Sequence, residues 1–489
     1  MNSQKDEHKI HKSACTPAST LGEVPMDTLI HIQSFMDPLD IIALRQSSKT
    51  LASATLHRIV WMDALRRVCA GHEVSVLTYP IEKMSLRDLE HAATSPARFI
   101  AQISKDWSSR ADGGLVPAFS TRLLQPRLPK LTPGHLGELL LMRLVPGGRY
   151  LVTTSDIGRM SIWDLGYGPA AILNPYPLLS TVLANTPTQI LIQPTKDGKG
   201  IRILVYFTVF IQTQITVFEV SPAATQPVFK VVAERRVPSL TINACALTPD
   251  RFTYHCDFLI TTWNFVEDTS ATVHVYQRML NITVTPTTII GQHAEGIVVV
   301  DIPPLHPTGT PAAEAIVEPI TPLPMLSHIH AVLGDVSDLY TTQSDWHSAP
   351  DVPIVIDCFG ILVDGTNAYA RCLIKTVPGE DLDLPCALPV LMGVTRVPPE
   401  TWEVDFYGRL HFAGTHLVRT WPTGSSVMIN VAAVPARRQI VFESKTSLLW
   451  EMPPQGELWA YDLDPMSGRF VTLASPTEIR ILDYILPNM

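Results

Sequence analysis

Two kinds of hydrophobic patterning divide the chain. From about residue 21 to residue 110 the apolar positions recur every three or four residues, the spacing of one helix face. From about residue 115 onward they come in short runs rich in Val, Ile, Thr, Phe and Tyr. Pro, Gly, Asn or Asp interrupts these runs every ~8–12 residues, and no long amphipathic helix intervenes. The first pattern predicts helices and the second predicts strands. Residues 1–20 are polar and aperiodic and are expected to form a disordered tail.

In the helical part, Asp27 is placed to cap a helix whose apolar positions are Leu29, Ile30, Ile32, Phe35 and Met36. Asp37-Pro38 breaks it, because the residue before proline is disfavoured in the helical region. A second short helix is expected from about Asp40, whose charge suits a helix N-terminus, through Ile41, Ile42 and Leu44. Ser48–Leu56 and Ile59–Ala70 continue the pattern, and Gly71 ends it. Ser85-Leu86-Arg87-Asp88 has the form of a capping box. Ser95-Pro96 predicts one more helix start, with proline at the first helical position. These helices reach about Arg110 and are expected to form a stalk or packing layer between two domains.

A repeated unit is visible in the strand-rich part. Its best copy runs from Leu144 to Leu165: a Pro-Gly-Gly turn, an apolar strand, a Ser-Asp-x-Gly turn, and a strand ending Ile162-Trp163-Asp164-Leu165. This copy resembles a WD-repeat. Weaker echoes are Ile215–Val220, Thr272–Tyr276, Trp459–Leu463, Ser467–Val471 and Ile479–Tyr484. Such a unit is too small to bury its own faces, so the copies must stack. At ~45–55 residues per blade the strand-rich part gives about seven blades of a β-propeller. Trp163 is expected in the core and Asp164 as a structural turn acceptor. Ile201–Ile211 is expected as a buried strand, too short to span a membrane. Pro303–Pro324 is read as an insertion loop between blades.

Composition narrows the function classes. The chain has 489 residues, 46% hydrophobic and 17% charged, with a formal net charge of -9. That is globular, too long for a single core, and without the basic stripe of a nucleic-acid binder, so no nucleic-acid or membrane partner is expected. The seven cysteines, Cys15, Cys69, Cys245, Cys256, Cys358, Cys372 and Cys386, are odd in number and scattered. They fit reduced thiols of the cytoplasm or nucleus better than disulfides or a zinc site. The N-terminus has no apolar signal core, so no secretion is expected, and the sequon Asn281-Ile282-Thr283 is expected to be silent.

Residues 21–70 resemble an F-box. Val24-Pro25 stands for its opening Leu-Pro-like pair, and Leu29, Ile32 and Phe35 for its apolar anchors. Pro38-Leu39-Asp40-Ile41 stands for its second helix start, Ser48-Lys49 for its Lys context and Trp61 for its closing Trp. Val24 replaces the usual Leu, and Gln33 stands where an apolar residue is common. The resemblance implies docking on the Skp adaptor of an SCF ubiquitin ligase, and through it on cullin, by Val24, Pro25, Leu29, Ile32, Phe35, Pro38, Leu39, Asp40, Ile41 and Leu44. The excess of apolar residues over what one face of a small helical unit can hide agrees with a protein partner.

The whole chain thus resembles fungal F-box proteins with a C-terminal divergent WD-repeat-like β-propeller. The expected fold class is α+β multidomain, an N-terminal helical F-box followed by an all-β propeller. The boundaries are residues 1–20 (tail), 21–70 (F-box-like helical domain), 71–114 (helical connector) and 115–489 (propeller). The implied function is substrate recognition for the ligase by proximity, with no catalytic residue, metal or cofactor in this chain. The rivals are a propeller scaffold acting outside any ligase and a propeller-borne hydrolase. Catalytic motifs are absent from the sequence. His328-x-His330 lacks a third metal ligand nearby. His255 and Cys256 would point to opposite faces of a strand and could not act as a base and nucleophile pair.

Overall fold

A computed structural model describes residues 24–72, 74–75, 78–105, 114–127, 137–209, 211–238, 241–275, 278–293, 296–308, 333–341, 354–362, 364–376, 387–397, 409–413, 416–423, 426–433, 440–441, 444–451 and 460–486. The expected tail at 1–20, His328 and His330, Tyr276, Trp459 and most of the 303–324 segment lie outside these residues. The chain divides into two compact units, Met1–Ala64 and Leu65–Met489.

The first unit contains α1 (Met26–Gln33), α2 (Pro38–Ser47), α3 (Lys49–Thr55) and the start of α4 (Arg58–Gly71). Asp27 is not the cap of α1. Pro25 occupies that place, and Asp27 sits in the first turn, where its charge complements the helix dipole. The second helix starts at Pro38, two residues earlier than expected, because proline suits the first helical position. Ser48 caps α3 by accepting the Leu51 amide at 3.2 Å. The core of the unit is Leu29, Leu51 and Ala54, with Val24, Met26, Ile30 and Leu44 packed on it. Trp61 is buried, donates Nε1–H to the Thr55 carbonyl at 2.8 Å, and carries the Arg45 guanidinium over its ring.

In the second unit, α5 (Leu86–Ile103) begins with the expected capping box between Ser85 and Asp88. It runs without a break through Pro96, so no new helix starts at Ser95. The Ser95 hydroxyl turns back to donate to the His91 carbonyl at 2.7 Å instead of capping forward. Burial of Leu89, Ala93, Phe99, Ile100 and Ile103 along one face holds the helix together across the proline.

Seven sheets follow, antiparallel but for one short edge pairing, and most of them four-stranded. Blade 1 is Leu139–Leu144, Tyr150–Ser155, Arg159–Asp164 and Leu179–Val182. Blade 2 is Gln189–Pro194, Ile201–Val209, Gln212–Val220 and Lys230–Val237. Blade 3 is Ala244–Leu247, Arg251–Cys256, Leu259–Asn264 and Thr269–His274, with His306–Pro307 added at its edge. Blade 4 has three strands among the described residues, Met279–Val284, Thr288–His293 and Gly296–Asp301. Blade 5 is Leu333–Thr341, Ile354–Leu362, Asn367–Thr376 and Ala387–Arg396, with Ile440–Val441 added in parallel. Blade 6 is Arg409–Ala413, His416–Thr423, Ser426–Ala433 and Ser444–Glu451. Blade 7 joins Tyr461–Asp464, Arg469–Ser475 and Glu478–Asp483 to Ser120–Leu124, which comes from the start of the ring.

Among the described residues, apolar clusters fill the interfaces between blades 1 and 2, 2 and 3, 3 and 4, 5 and 6, and 6 and 7, and that between blades 7 and 1, which closes the ring. In blade 1, Val152 and Ile162 face blade 2, while Leu151 and Trp163 face blade 7. Both sides of a blade are therefore covered, and this is why the sequence shows continuous apolar runs and not strict alternation. Ile201–Val209 is the expected buried strand, but Ile211 lies exposed in the turn beyond it. His306–Pro307 of the expected insertion pair with the outer strand of blade 3.

Candidate interaction surfaces

The ten residues singled out in the helical unit fall into two groups. Leu29 and Ile41 are buried, and Val24 and Leu44 pack on the unit's own core. Pro38 is half-buried, while Pro25, Ile32, Phe35, Leu39 and Asp40 are exposed. Phe35 is 70% exposed and Leu39 52%, so two large apolar side chains of a small helical unit face outward. Leu56 and Ile59, which the sequence reading did not select, are exposed as well. Gln33 is buried and donates to the Leu51 carbonyl at 3.4 Å, so a polar residue here ties α1 to α3.

The ring is locked by charged groups at its closure. Asp483 accepts from Arg469 Nε at 2.7 Å and from the Arg122 guanidinium at 2.8 Å. Arg469 reaches across to the carbonyls of Gly148 and Gly166 in blade 1, at 2.5 and 2.7 Å. In return, Asp462 accepts the Leu144 amide at 2.7 Å and Asp464 the Gly147 amide at 3.0 Å. Above this junction Thr78 donates to the Pro146 carbonyl at 2.8 Å, and α5 packs its Phe99 edge-on against Tyr484.

The same arginine–acid device recurs in other blades. Arg149 pairs with Asp164 at 2.8 Å and Arg202 with Glu219 at 3.2 Å, in each case near the start of a second strand and the end of a third. Asp164 also accepts the Gly166 amide at 2.8 Å, the structural role expected of it. Trp163 is core, with Nε1–H donated to Thr153 Oγ1 at 2.9 Å. In blade 3 the equivalent pair is Trp263-Asn264, at the end of the third strand. Thr272–His274, the strand part of the other echo, falls one strand later and is not a copy of that position. Asn264 in place of an acid conceals the true copy.

His255 and Cys256 are both buried; Cys256 joins the cluster between blades 2 and 3, and by strand alternation His255 turns to the other face. Both His255 ring nitrogens lack a hydrogen-bond partner. Burial, with Arg278 adding to it, holds its pKa down at about 4. Two concavities flank α5, one of about 330 Å³ beside Arg87, His91 and Tyr167 and one of about 550 Å³ beside Arg98, Lys105 and Phe119. His91 is held near pKa 4 by burial and by Arg98, far from the working range of a general base at neutral pH. Among the described residues no group of three or more His, Cys, Asp or Glu could hold a metal, and no helix is long and apolar enough to cross a membrane.

No family model matches the chain, and no curated protein matches it in sequence. Among solved structures it is similar to the Cps50 (Swd1) beta-propeller domain of Myceliophteria thermophila, with a TM-score of 0.41 and 11% identity over 75% of this chain and 99% of that one. It is also similar to the RRP9 WD40 repeats (TM-score 0.39, 10% identity, 75% of this chain and 98% of that one). A third is U3-55K (TM-score 0.40, 10% identity, 76% of this chain and 100% of that one). The assignment of a seven-bladed propeller rests on this chain's own strand pairing and blade interfaces.

Proposed function

We propose that the protein is a non-catalytic interaction scaffold, in which the helical unit docks on one protein and the propeller holds another. The observation that carries this reading is the exposure of Phe35 and Leu39 on a unit that already has a core of its own. Two large apolar side chains held open together on a small helical unit suit a protein partner.

A finer reading takes that partner to be the Skp adaptor of an SCF ubiquitin ligase, with the propeller presenting a substrate. The resemblance of residues 21–70 to an F-box favours it, and so does the surface position of Pro25, Ile32, Phe35, Leu39 and Asp40. The ligase would work by proximity, so this chain needs no catalytic group.

Co-purification with adaptor and cullin, using wild type and the Phe35→Ala/Leu39→Ala variant, tests both levels. Adaptor and cullin retained by wild type and lost by the variant are the expected result. Adaptor without cullin removes the ligase reading and leaves the scaffold. Equal retention of every partner by the variant removes the docking role of this surface.

A further inference from the structure

The turns between the second and third strands of blades 1, 2 and 3 share one feature. Each carries a large apolar residue in the open: Ile157 in blade 1 (42% exposed), Ile211 in blade 2 (75%) and Phe258 in blade 3 (52%). Repetition of one strand order around the ring brings all such turns to the same end of it. The connector between blades 1 and 2 shows the adjacency directly. Thr186 donates to the Asp156 carbonyl at 2.6 Å and Asn185 to the Thr208 carbonyl at 3.3 Å, so one short segment touches the blade 1 turn and the end of the strand that leads into the blade 2 turn.

The blade 3 turn adds an independent sign. Cys256 and Leu259 pair directly, so Asp257-Phe258 is a two-residue hairpin loop. Both residues take positive φ, 47° and 66°. That is the geometry for which Asn-Gly is preferred, and a bulky residue there is strained. The strain keeps an exposed aromatic ring where glycine would fold more easily, a pattern found at binding sites.

Carboxylates accompany the apolar tips. Asp156 precedes Ile157 and Asp257 precedes Phe258, both exposed, and Glu138 is exposed beside Asp156, which accepts its amide at 2.8 Å.

We infer that Ile157, Ile211 and Phe258, with Asp156, Asp257 and Glu138, form a docking face on the ring for a basic amphipathic segment of a partner protein. Its apolar residues would cover the three tips and its Lys or Arg side chains would face the carboxylates. The inference rests on the scaffold reading and assigns it a second surface, apart from the helical unit.

The test uses the full chain and two synthetic peptide probes, a Leu/Lys amphipathic helix and a Leu/Glu helix with the same apolar face, followed by fluorescence anisotropy. Wild type binds the Leu/Lys probe at least about 10-fold more tightly than the Leu/Glu probe, a difference reduced by salt. Ile157→Ser/Ile211→Ser/Phe258→Ser lowers that affinity about 10-fold or more. Phe258→Gly weakens binding while raising the thermal midpoint, because it relieves the turn; a purely structural role for Phe258 would not separate the two. Equal binding of both probes, or unchanged binding by the triple variant, overturns the inference. If the tips fail while the Phe35/Leu39 surface still captures its partner, the scaffold reading survives without this face.

Discussion

Arg469 and Asp483 lie directly opposite each other on the last two strands and form a 2.7 Å ion pair, both almost wholly buried. The arginine also bonds two carbonyls of the neighbouring blade, so a single side chain joins the last blade to the first. Removing the acid leaves both Arg469 and Arg122 without their carboxylate, whereas removing Arg469 leaves Asp483 paired with Arg122. Asp483→Asn is expected to cost about 3–5 kcal/mol, read from urea unfolding, and Arg469→Met less, because Arg122 still compensates the acid. A conservative Arg469→Lys should not restore stability, because lysine cannot match the planar fork.

Gly147 sits at φ +94°, and a methyl group on it would lie 2.4 Å from Thr78 Cγ2 and 2.7 Å from Val74 Cγ1. Gly147→Ala therefore combines backbone strain with a clash against the segment covering the ring closure. A loss of roughly 1–3 kcal/mol is expected, measured as a lower denaturant midpoint.

The buried imidazole of His255 sets a pH dependence. Its pKa falls from 6.5 to about 4 on folding. The unfolded chain therefore takes up this proton first as pH drops. The contribution to stability is complete above pH 6.5, declines as pH falls, and is lost by about pH 4, at up to about 1.4 kcal/mol per pH unit. His72 shifts in the same direction for the same reason, burial. Urea midpoints at pH 7.5, 5.5 and 4.5 should fall less steeply for His255→Gln than for wild type.

In the helical unit, Leu29→Ala and Ile41→Ala remove fully buried side chains and should cost about 2–5 kcal/mol. Phe35→Ala and Leu39→Ala change exposed ones and should stay within about 0.5 kcal/mol. Amide hydrogen exchange in α1–α3 distinguishes the pairs: protection drops for the first and holds for the second. Comparable losses for all four would mean that Phe35 and Leu39 serve the fold.

The propeller was legible because each blade buries both faces, so its strands read as apolar runs between turn residues. The blade 1 copy at Leu144–Leu165 was the clearest, since Trp163 and Asp164 both hold their places there. A second signal went unread: an arginine 14 to 17 positions before an acid, as in Arg469–Asp483, Arg149–Asp164 and Arg202–Glu219. It escapes pattern reading because the pairing is made across a hairpin and neither residue is apolar. Ser95-Pro96 misled for a related reason. The local cap preference was outweighed by burial along the face of α5 that includes Ser95 and Pro96 themselves, and burial is set by residues hundreds of positions away. At the candidate surfaces, helical spacing placed Ile32, Phe35 and Leu39 among apolar positions. It could not separate them from Leu29 and Ile41, because periodicity tells which residues are apolar and not which of them a small unit can cover.

The pairing of Ser120–Leu124 with Glu478–Asp483 also imposes an order in time. Arg122 and its acceptor Asp483 are 361 positions apart, so the early strand leaves the ribosome long before its neighbour exists. At about 5–20 residues per second this wait lasts roughly 20–70 s. For that interval the nascent chain carries unpaired strand edges at both ends of an open ring, and those edges attract other chains. A chaperone that shields extended segments would act in that window, and a chain stopped before residue 478 would never leave it.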